Sequence, residues 1–170
     1  MERTVSMQGN PLTLTGNEVK VGDKAPDFKA LDNGLAPAGL AEFKGKVVVI
    51  SSVPSLDTPV CDVQTRRFNV EAGKLGGDVA VLTLSMDLPF AQSRWCGAAG
   101  VSHVKTLSDY KDADFGMSYG VLIKELRLLA RAVFVIDRDN IVRYVQIVDD
   151  ITHEPDYDAC LSAIGKCLDK

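Results

Sequence analysis

Much that would mark a metalloprotein, a nucleotide enzyme or a membrane protein is missing from this chain of 170 residues. Only two histidines occur, His103 and His153, and there is no H-E-x-x-H, so no metal site is expected. There is no G-x-G-x-x-G and no Walker loop, which removes the usual glycine-rich phosphate cradles. No stretch reaches the roughly 18 uninterrupted apolar residues of a membrane span. Met1 to Gly16 lacks the apolar core of a secretory signal, so a cytoplasmic location is expected. The net charge is -4 and no long basic run occurs, so neither nucleic acid nor a membrane surface is an expected partner.

Four cysteines are present: Cys61, Cys96, Cys160 and Cys167. None are spaced C-x-x-C, which argues against a thioredoxin-type dithiol and against a zinc ribbon. In a reducing compartment an even count does not imply structural disulfides. What remains is the chemistry of individual thiols. Hydrophobic residues make up 46% and charged residues 25%, the profile of a globular protein, and the length suits one domain, 1–170.

Along the chain, Val5 to Leu14 reads as two short strands around a turn at Gly9-Asn10-Pro11. Lys46 to Ser52 is an apolar, β-branched run, the pattern of a strand buried on both faces. Pro59 to about Leu75 follows as a helix with Val63, Phe68, Val70 and Leu75 on its inward side, ended by Gly76-Gly77. A second buried strand spans Val79 to Ser85, and a short helix runs from Pro89 to Cys96, closed by Gly97. A short strand at Val104–Leu107 and a weak helix at Asp112–Tyr119 come next. Ala132–Ile136 and Ile141–Val148 are strands joined by the hairpin signature Asp137-Arg138-Asp139-Asn140. A last helix covers Pro155–Leu168, with His153 or Glu154 near its start. Successive βαβ units followed by a hairpin and a helix give an α/β fold with a mixed central sheet flanked by helices.

The most informative residue is Cys61. Thr58 is placed to be an N-cap and Pro59 the first helical residue, so Cys61 falls in the first turn. There the backbone N–H groups lack helical acceptors and the helix dipole is positive, a setting that favours a thiolate nucleophile. Thiolate formation alone gives little. An ordinary thiol, with a pKa of about 8.5, is roughly 3% ionised at pH 7. A fall to about pKa 6 raises that about thirtyfold, but the accompanying loss of nucleophilicity removes roughly tenfold. Fast chemistry must therefore come from donors that hold and polarise the electrophile. The backbone N–H groups of residues 60 and 61, the Thr58 hydroxyl and an arginine would serve. The position of Thr58 allows two roles, a cap alone or a hydroxyl presented to a substrate.

Arg131 lies in the apolar stretch Leu128–Ile136, where an unpaired guanidinium would be unfavourable, so an anionic partner is expected. Arg127 is a competing candidate. Cys96 is followed by Gly97-Ala98-Ala99-Gly100, a helix end with little side-chain packing that should fray readily. Cys160 and Cys167 share a helical face with Tyr157, Leu161, Ile164 and Leu168 and read as small core residues.

Pro54, Thr58 and Cys61 form a P-x-x-x-T-x-x-C signature that resembles the peroxiredoxins. The fuller S-L-D-T-P-V-C of residues 55–61 is similar to the thiol peroxidases, the atypical two-cysteine subgroup. G-D-K-A-P-D-F at 22–28, S-R-W-C-G at 93–97, A-R-A-V-F-V-I-D at 130–137 and E-P-D-Y at 154–157 extend the resemblance over nearly the whole chain. It departs at Trp95, where Phe is expected, and in a shorter segment between Gly120 and Ala130.

The resemblance implies a thioredoxin-like fold with an added N-terminal β-hairpin. It implies catalytic roles for Cys61, Cys96, Thr58 and Arg131, with Pro54, Thr58, Val60 and Arg131 around the substrate. It further implies reduction of hydrogen peroxide and alkyl or lipid hydroperoxides through a Cys61 sulfenic acid and an intrachain Cys61–Cys96 disulfide. Thioredoxin would be the reductant, no metal or organic cofactor would be needed, and the protein would be a homodimer. Two other readings stand beside this one. One is a peroxide-sensing redox switch acting through partner binding. The other is a hydrolase pairing Cys61 with His153.

Overall fold

The computed structural model describes residues 2–169; Met1 and Lys170, the ends of the expected 1–170 domain, lie outside the described residues. The chain opens with the expected hairpin, β1 (Arg3–Met7) and β2 (Asn10–Thr15). Its turn is Gln8-Gly9, with φ of 51° and 85°, and not Gly9-Asn10-Pro11. A two-residue turn of this hand needs positive φ at both central positions, which Pro11 cannot adopt; Pro11 instead sits in β2 opposite Ser6.

Two very short strands, β3 (Ala30–Leu31) and β4 (Pro37–Ala38), and a 3₁₀ turn at Leu40–Phe43 lead into β5 (Val47–Ser52). Then come α1 (Pro59–Leu75), β6 (Val79–Ser85), α2 (Pro89–Ala99), β7 (Lys105–Ser108) and α3 (Asp114–Ser118). The chain closes with β8 (Leu122–Ile123), β9 (Leu128–Leu129), β10 (Ala132–Ile136), β11 (Val142–Ile147) and α4 (Tyr157–Leu168). The main sheet has strand order β11-β10-β5-β6-β7-β3-β4, with β5, β6 and β7 parallel and the remaining pairings antiparallel. The hairpin joins β8 and β9 in a second sheet, β1-β2-β8-β9.

Every residue of β5 and of β10 is buried, the apolar runs Val47–Ile50 and Ala132–Ile136 and also Ser51 and Ser52. One face of the main sheet packs under the long helices through Val49, Val81, Val133, Phe68 and Ile164. The other packs on Phe28, Phe115 and Tyr119 and on the second sheet through Leu14 and Ile123.

Three helix assignments differ from the sequence reading. Val63 and Val70 are 48% and 54% exposed, and α1 instead buries Cys61, Gln64, Thr65 and Phe68. The i, i+3, i+4, i+7 spacing is that of one helix face, but two of its members are polar: Gln64 meets Ser51 and Arg131, and Thr65 donates to the Cys61 carbonyl one turn back. Helix α2 continues through Gly97 to Ala99, where Gly100 in the left-handed conformation caps it. The N-cap of α4 is Asp156, whose carboxylate accepts from the Ala159 N–H at 3.0 Å, and not His153 or Glu154.

Candidate active site

At the carboxyl end of β5 the chain turns through Val53 and Pro54, both buried, into the segment Ser55–Thr58. Asp87, just past β6, fixes that segment: its carboxylate accepts from the Ser55 hydroxyl at 2.7 Å and the Leu56 N–H at 2.8 Å. Thr58 is the N-cap by backbone conformation, but its hydroxyl makes no capping bond and donates to the Ser55 carbonyl at 2.9 Å. Of the two roles open to it, side-chain capping is therefore not the one observed. Thr58 is exposed and Val60 half-buried. Pro59 follows as the first helical residue, and the Asp62 N–H bonds back to the Thr58 carbonyl at 3.0 Å. The Val60 and Cys61 N–H groups stand in the first turn, where an α-helix offers no intrahelical acceptor.

Cys61 is fully buried, among Val53 and Leu56, with Trp95 packed against the group. Its sulfur accepts from Arg131 Nη2 at 3.2 Å. Arg131 is itself only 2% exposed. Its Nη1 donates to Gln64 Oε1 at 2.8 Å, and its Nε and Nη2 both donate to the Ile151 carbonyl, at 2.9 and 2.7 Å. The anionic partner expected from sequence is not among these groups: an amide oxygen, a backbone carbonyl and the Cys61 sulfur satisfy the guanidinium instead. Arg127, the competing candidate, is exposed, and the hydrogen bond at the Cys61 sulfur comes from Arg131.

Sequence reasoning missed Gln64. It is fully buried one turn beyond Cys61, orients Arg131 through its Oε1, and donates from Nε2 to the Ser51 hydroxyl at 2.6 Å. The only sequence signal was its i+3 spacing from Cys61 on the same helical face. A buried polar row begins here: Ser51, Thr83 and Thr106 stand opposite one another on β5, β6 and β7. All three belong to the helix-facing side of the sheet, since paired residues of parallel strands project alike.

Cys96 stands at the far end of that row. It is half-buried in α2, with its sulfur 3.6 Å from Thr106 Oγ1, and Thr106 Oγ1 donates to Asn33 Oδ1 at 3.0 Å. It lines a surface cavity of about 420 Å³ together with Asn33, Gly34 and Thr106. Two interstrand spacings, roughly 10 Å, separate Ser51 from Thr106, so Cys96 is not in contact range of Cys61 here. No disulfide joins any of the four cysteines.

Trp95, beside Cys96, ties α2 to α1. Its indole N–H donates to Asp62 Oδ1 at 3.0 Å, Arg66 donates to the other Asp62 oxygen at 2.9 Å, and the Arg66 guanidinium lies over the indole at 5.6 Å. The helix end expected to fray is thus clamped by a side chain. Cys160 and Cys167 face the apolar cluster under α4, as expected. Burial, reinforced by Asp156, pushes the Cys160 thiol up to about 12. His103 and His153 are exposed, and the hydrogen bond seen at the Cys61 sulfur comes from Arg131 and not from His153, the base a hydrolase would need. Among the described residues no group of three or more histidine, cysteine or acidic side chains forms a metal cluster, and no helix is long and apolar enough to cross a membrane.

A buried sulfur facing an arginine thus lies on the first turn of the helix that leaves β5, on a thioredoxin-like scaffold. Residues 20–161 match the family described as Redoxin. The thiol peroxidase of Halalkalibacterium halodurans is 59% identical over 165 residues, 97% of this chain and 99% of that one. That of Bacillus subtilis is 57% identical over 94% of this chain and 95% of its own length. A crystal structure of a peroxiredoxin-like protein from Aquifex aeolicus superposes with a TM-score of 0.91 at 44% identity, covering 97% of each chain. The chain therefore belongs to the redoxin family, among its thiol peroxidases. It is an enzyme, a thiol-dependent peroxidase with a thioredoxin-like fold.

Proposed function

We propose that Cys61 is the sulfur that breaks the peroxide O–O bond, and that Cys96 resolves the product. The thiolate attacks one oxygen of hydrogen peroxide or of an alkyl or lipid hydroperoxide. An S–O bond forms as the O–O bond breaks, sulfur loses two electrons, and the leaving oxygen departs as water or alcohol after taking a proton. Cys61 is left as a sulfenic acid. The Cys96 sulfur then attacks it, water leaves, and an intrachain Cys61–Cys96 disulfide forms. The dithiol of thioredoxin reduces that disulfide through a mixed intermediate.

The observation that carries this reading is the 3.2 Å bond from Arg131 Nη2 to the Cys61 sulfur, with no carboxylate among the described hydrogen-bond partners of Arg131. Arg131 attracts the anionic sulfur and offers donors to the peroxide. Thr58 aligns the peroxide with its hydroxyl, the Val60 and Cys61 N–H groups stabilise charge on the departing oxygen, and Pro54 and Val60 line the approach. Because Cys61 is fully buried, peroxide enters only when the cover of Leu56 and Trp95 shifts. The same movement of α2 releases Cys96 from Thr106.

The chain 1–170 works as one domain in the cytoplasm, as a homodimer, without metal or organic cofactor, and engages neither nucleic acid nor membrane. Leu88 and Phe90, 50% and 66% exposed beside the Cys61 loop, offer the apolar face for a second copy. The redox-switch alternative finds no support in relatives that are described as peroxidases.

The test is steady peroxide consumption with thioredoxin and its reductase. Wild type should turn over, and Cys96→Ser should allow one rapid oxidation of Cys61 and then stop. Continued cycling by Cys96→Ser, or oxidation without turnover in the wild type, would remove the proposed sequence.

A further inference from the structure

The N-terminal hairpin lies outside the matched redoxin segment, yet it reaches the guanidinium at Cys61 in two steps. The link is the turn between β11 and α4, residues 149–152. Strand β1 pairs with it: the Ser6 N–H donates to the Asp149 carbonyl at 2.7 Å, and the Ile151 N–H donates to the Ser6 carbonyl at 2.9 Å. Asp150, 8% exposed, completes the junction. Its Oδ2 accepts from the Ser6 hydroxyl at 2.9 Å and the Gly9 N–H at 3.2 Å. Its Oδ1 accepts from the Thr152 N–H at 2.9 Å and the Thr152 hydroxyl at 2.5 Å. These bonds, the Thr152 hydroxyl's foremost, hold the Asp150 carboxyl well below the usual carboxylate range.

The Thr152 N–H and the Ile151 carbonyl belong to one peptide unit, which is planar and points its N–H and C=O in opposite directions. Asp150 holds the N–H end. The C=O end receives both Nε and Nη2 of Arg131, and Nη2 is the same nitrogen that reaches the Cys61 sulfur. Tilting this peptide plane moves the donor at the sulfur. Gln64 anchors only Nη1, so it cannot by itself fix the orientation of the guanidinium fork.

We propose that Asp150 is a positioning residue for the peroxide step: by locking the 151–152 peptide and tying it to the N-terminal hairpin, it aims Arg131 at Cys61. This rests on the assignment of Arg131 to the Cys61 reaction. The hairpin is then part of the support of the active site and not merely an appendage to the fold.

The experiment is single-turnover oxidation of Cys61 by hydrogen peroxide in the full-length chain carrying Cys96→Ser, which isolates the first step. Asp150→Ala should slow it on the order of tenfold, the effect of releasing a hydrogen-bonded charged group. Asp150→Asn, which keeps an oxygen for the Thr152 N–H, should recover much of that loss. Ser6→Ala removes one hairpin donor, leaves the backbone pairing intact, should slow the step less, and carries the same test should Asp150→Ala fail to fold. In an Arg131→Ala background the Asp150 and Ser6 substitutions should change nothing further. Equal slowing in that background, or no slowing in either, overturns the positioning role while leaving the Arg131 assignment standing. If Arg131→Ala alone leaves the rate unchanged, the assignment falls and the positioning role with it.

Discussion

Cys61 and Cys160 are both fully buried, both carried on helices, and both packed against the same face of the same sheet. They differ in what meets the sulfur. Cys160 lies with Val133, Val135 and Ile164, and burial with a nearby Asp156 pushes its thiol up to about 12. Cys61 meets a guanidinium held by Gln64 and the Ile151 carbonyl. Desolvation alone makes a thiol an inert small hydrophobe. A buried, uncompensated cation is what sets one of these two sulfurs apart, and the sequence distances of 67 and 20 residues from Arg131 to its anchors show that it is a product of the tertiary fold.

The comparison breaks most visibly at Arg131. Arg131→Ala should reduce the rate of Cys61 oxidation on the order of 10²- to 10³-fold, the usual effect of removing a positioned donor to developing charge. Cys160→Ser should leave that rate unchanged, and iodoacetamide mapping of the native protein should find Cys160 unmodified over the time in which Cys61 reacts. Rapid modification of Cys160 would mean that burial is not what protects it.

The clamp on α2 sharpens the same contrast on the side of Cys96. Trp95→Phe keeps an aromatic ring against Cys61 but removes the N–H that bonds Asp62. Disulfide formation, followed after a single peroxide pulse, should accelerate a few-fold, in line with the loss of one hydrogen bond of about 1 kcal/mol. The initial oxidation, which needs the same shift of Trp95, should not slow. A slower second step would show that Trp95 guides Cys96 instead of restraining it.

A third buried ionisable group gives the smallest effect. Asp109 accepts from the Phe115 and Gly116 N–H groups, both at 2.9 Å, yet burial outweighs these bonds and raises it to about 6. A carboxyl raised in the folded state binds its proton more tightly there than in the unfolded chain. Its contribution to stability is therefore largest below about pH 4 and falls as pH rises through about 6. The difference in unfolding free energy between wild type and Asp109→Asn, measured by urea titration, should shift against the wild type across that window. A constant difference from pH 4 to 7 would contradict it.

The sequence made legible what local chemistry controls. Apolar runs rich in β-branched residues announced β5, β6 and β10, and Thr58-Pro59 announced the start of α1 and so the place of Cys61. Arg131 was visible because a charge within an apolar run demands a partner. Gln64 was not, because a polar residue on a helix reads as solvent-facing until the fold brings Ser51 and Arg131 beneath it. Val63 and Val70 misled for the converse reason: their apolar character pointed inward although the helix turns them out. Strands β3, β4, β8 and β9 span two residues each, too short for any alternation to register. The extent of α2 was misjudged because Gly97 reads as a terminator, whereas Gly100 supplies the left-handed cap.

The central claim is that the Cys61 sulfur, held by Arg131, displaces oxygen from a peroxide. Stopped-flow oxidation of reduced Cys96→Ser protein by hydrogen peroxide, with peptide mapping of the product, tests it most directly. Cys61 should appear as the only oxidised residue, with a second-order rate constant orders of magnitude above that of free glutathione. A rate equal to glutathione's, or oxidation landing first on Cys160 or Cys167, would contradict the account.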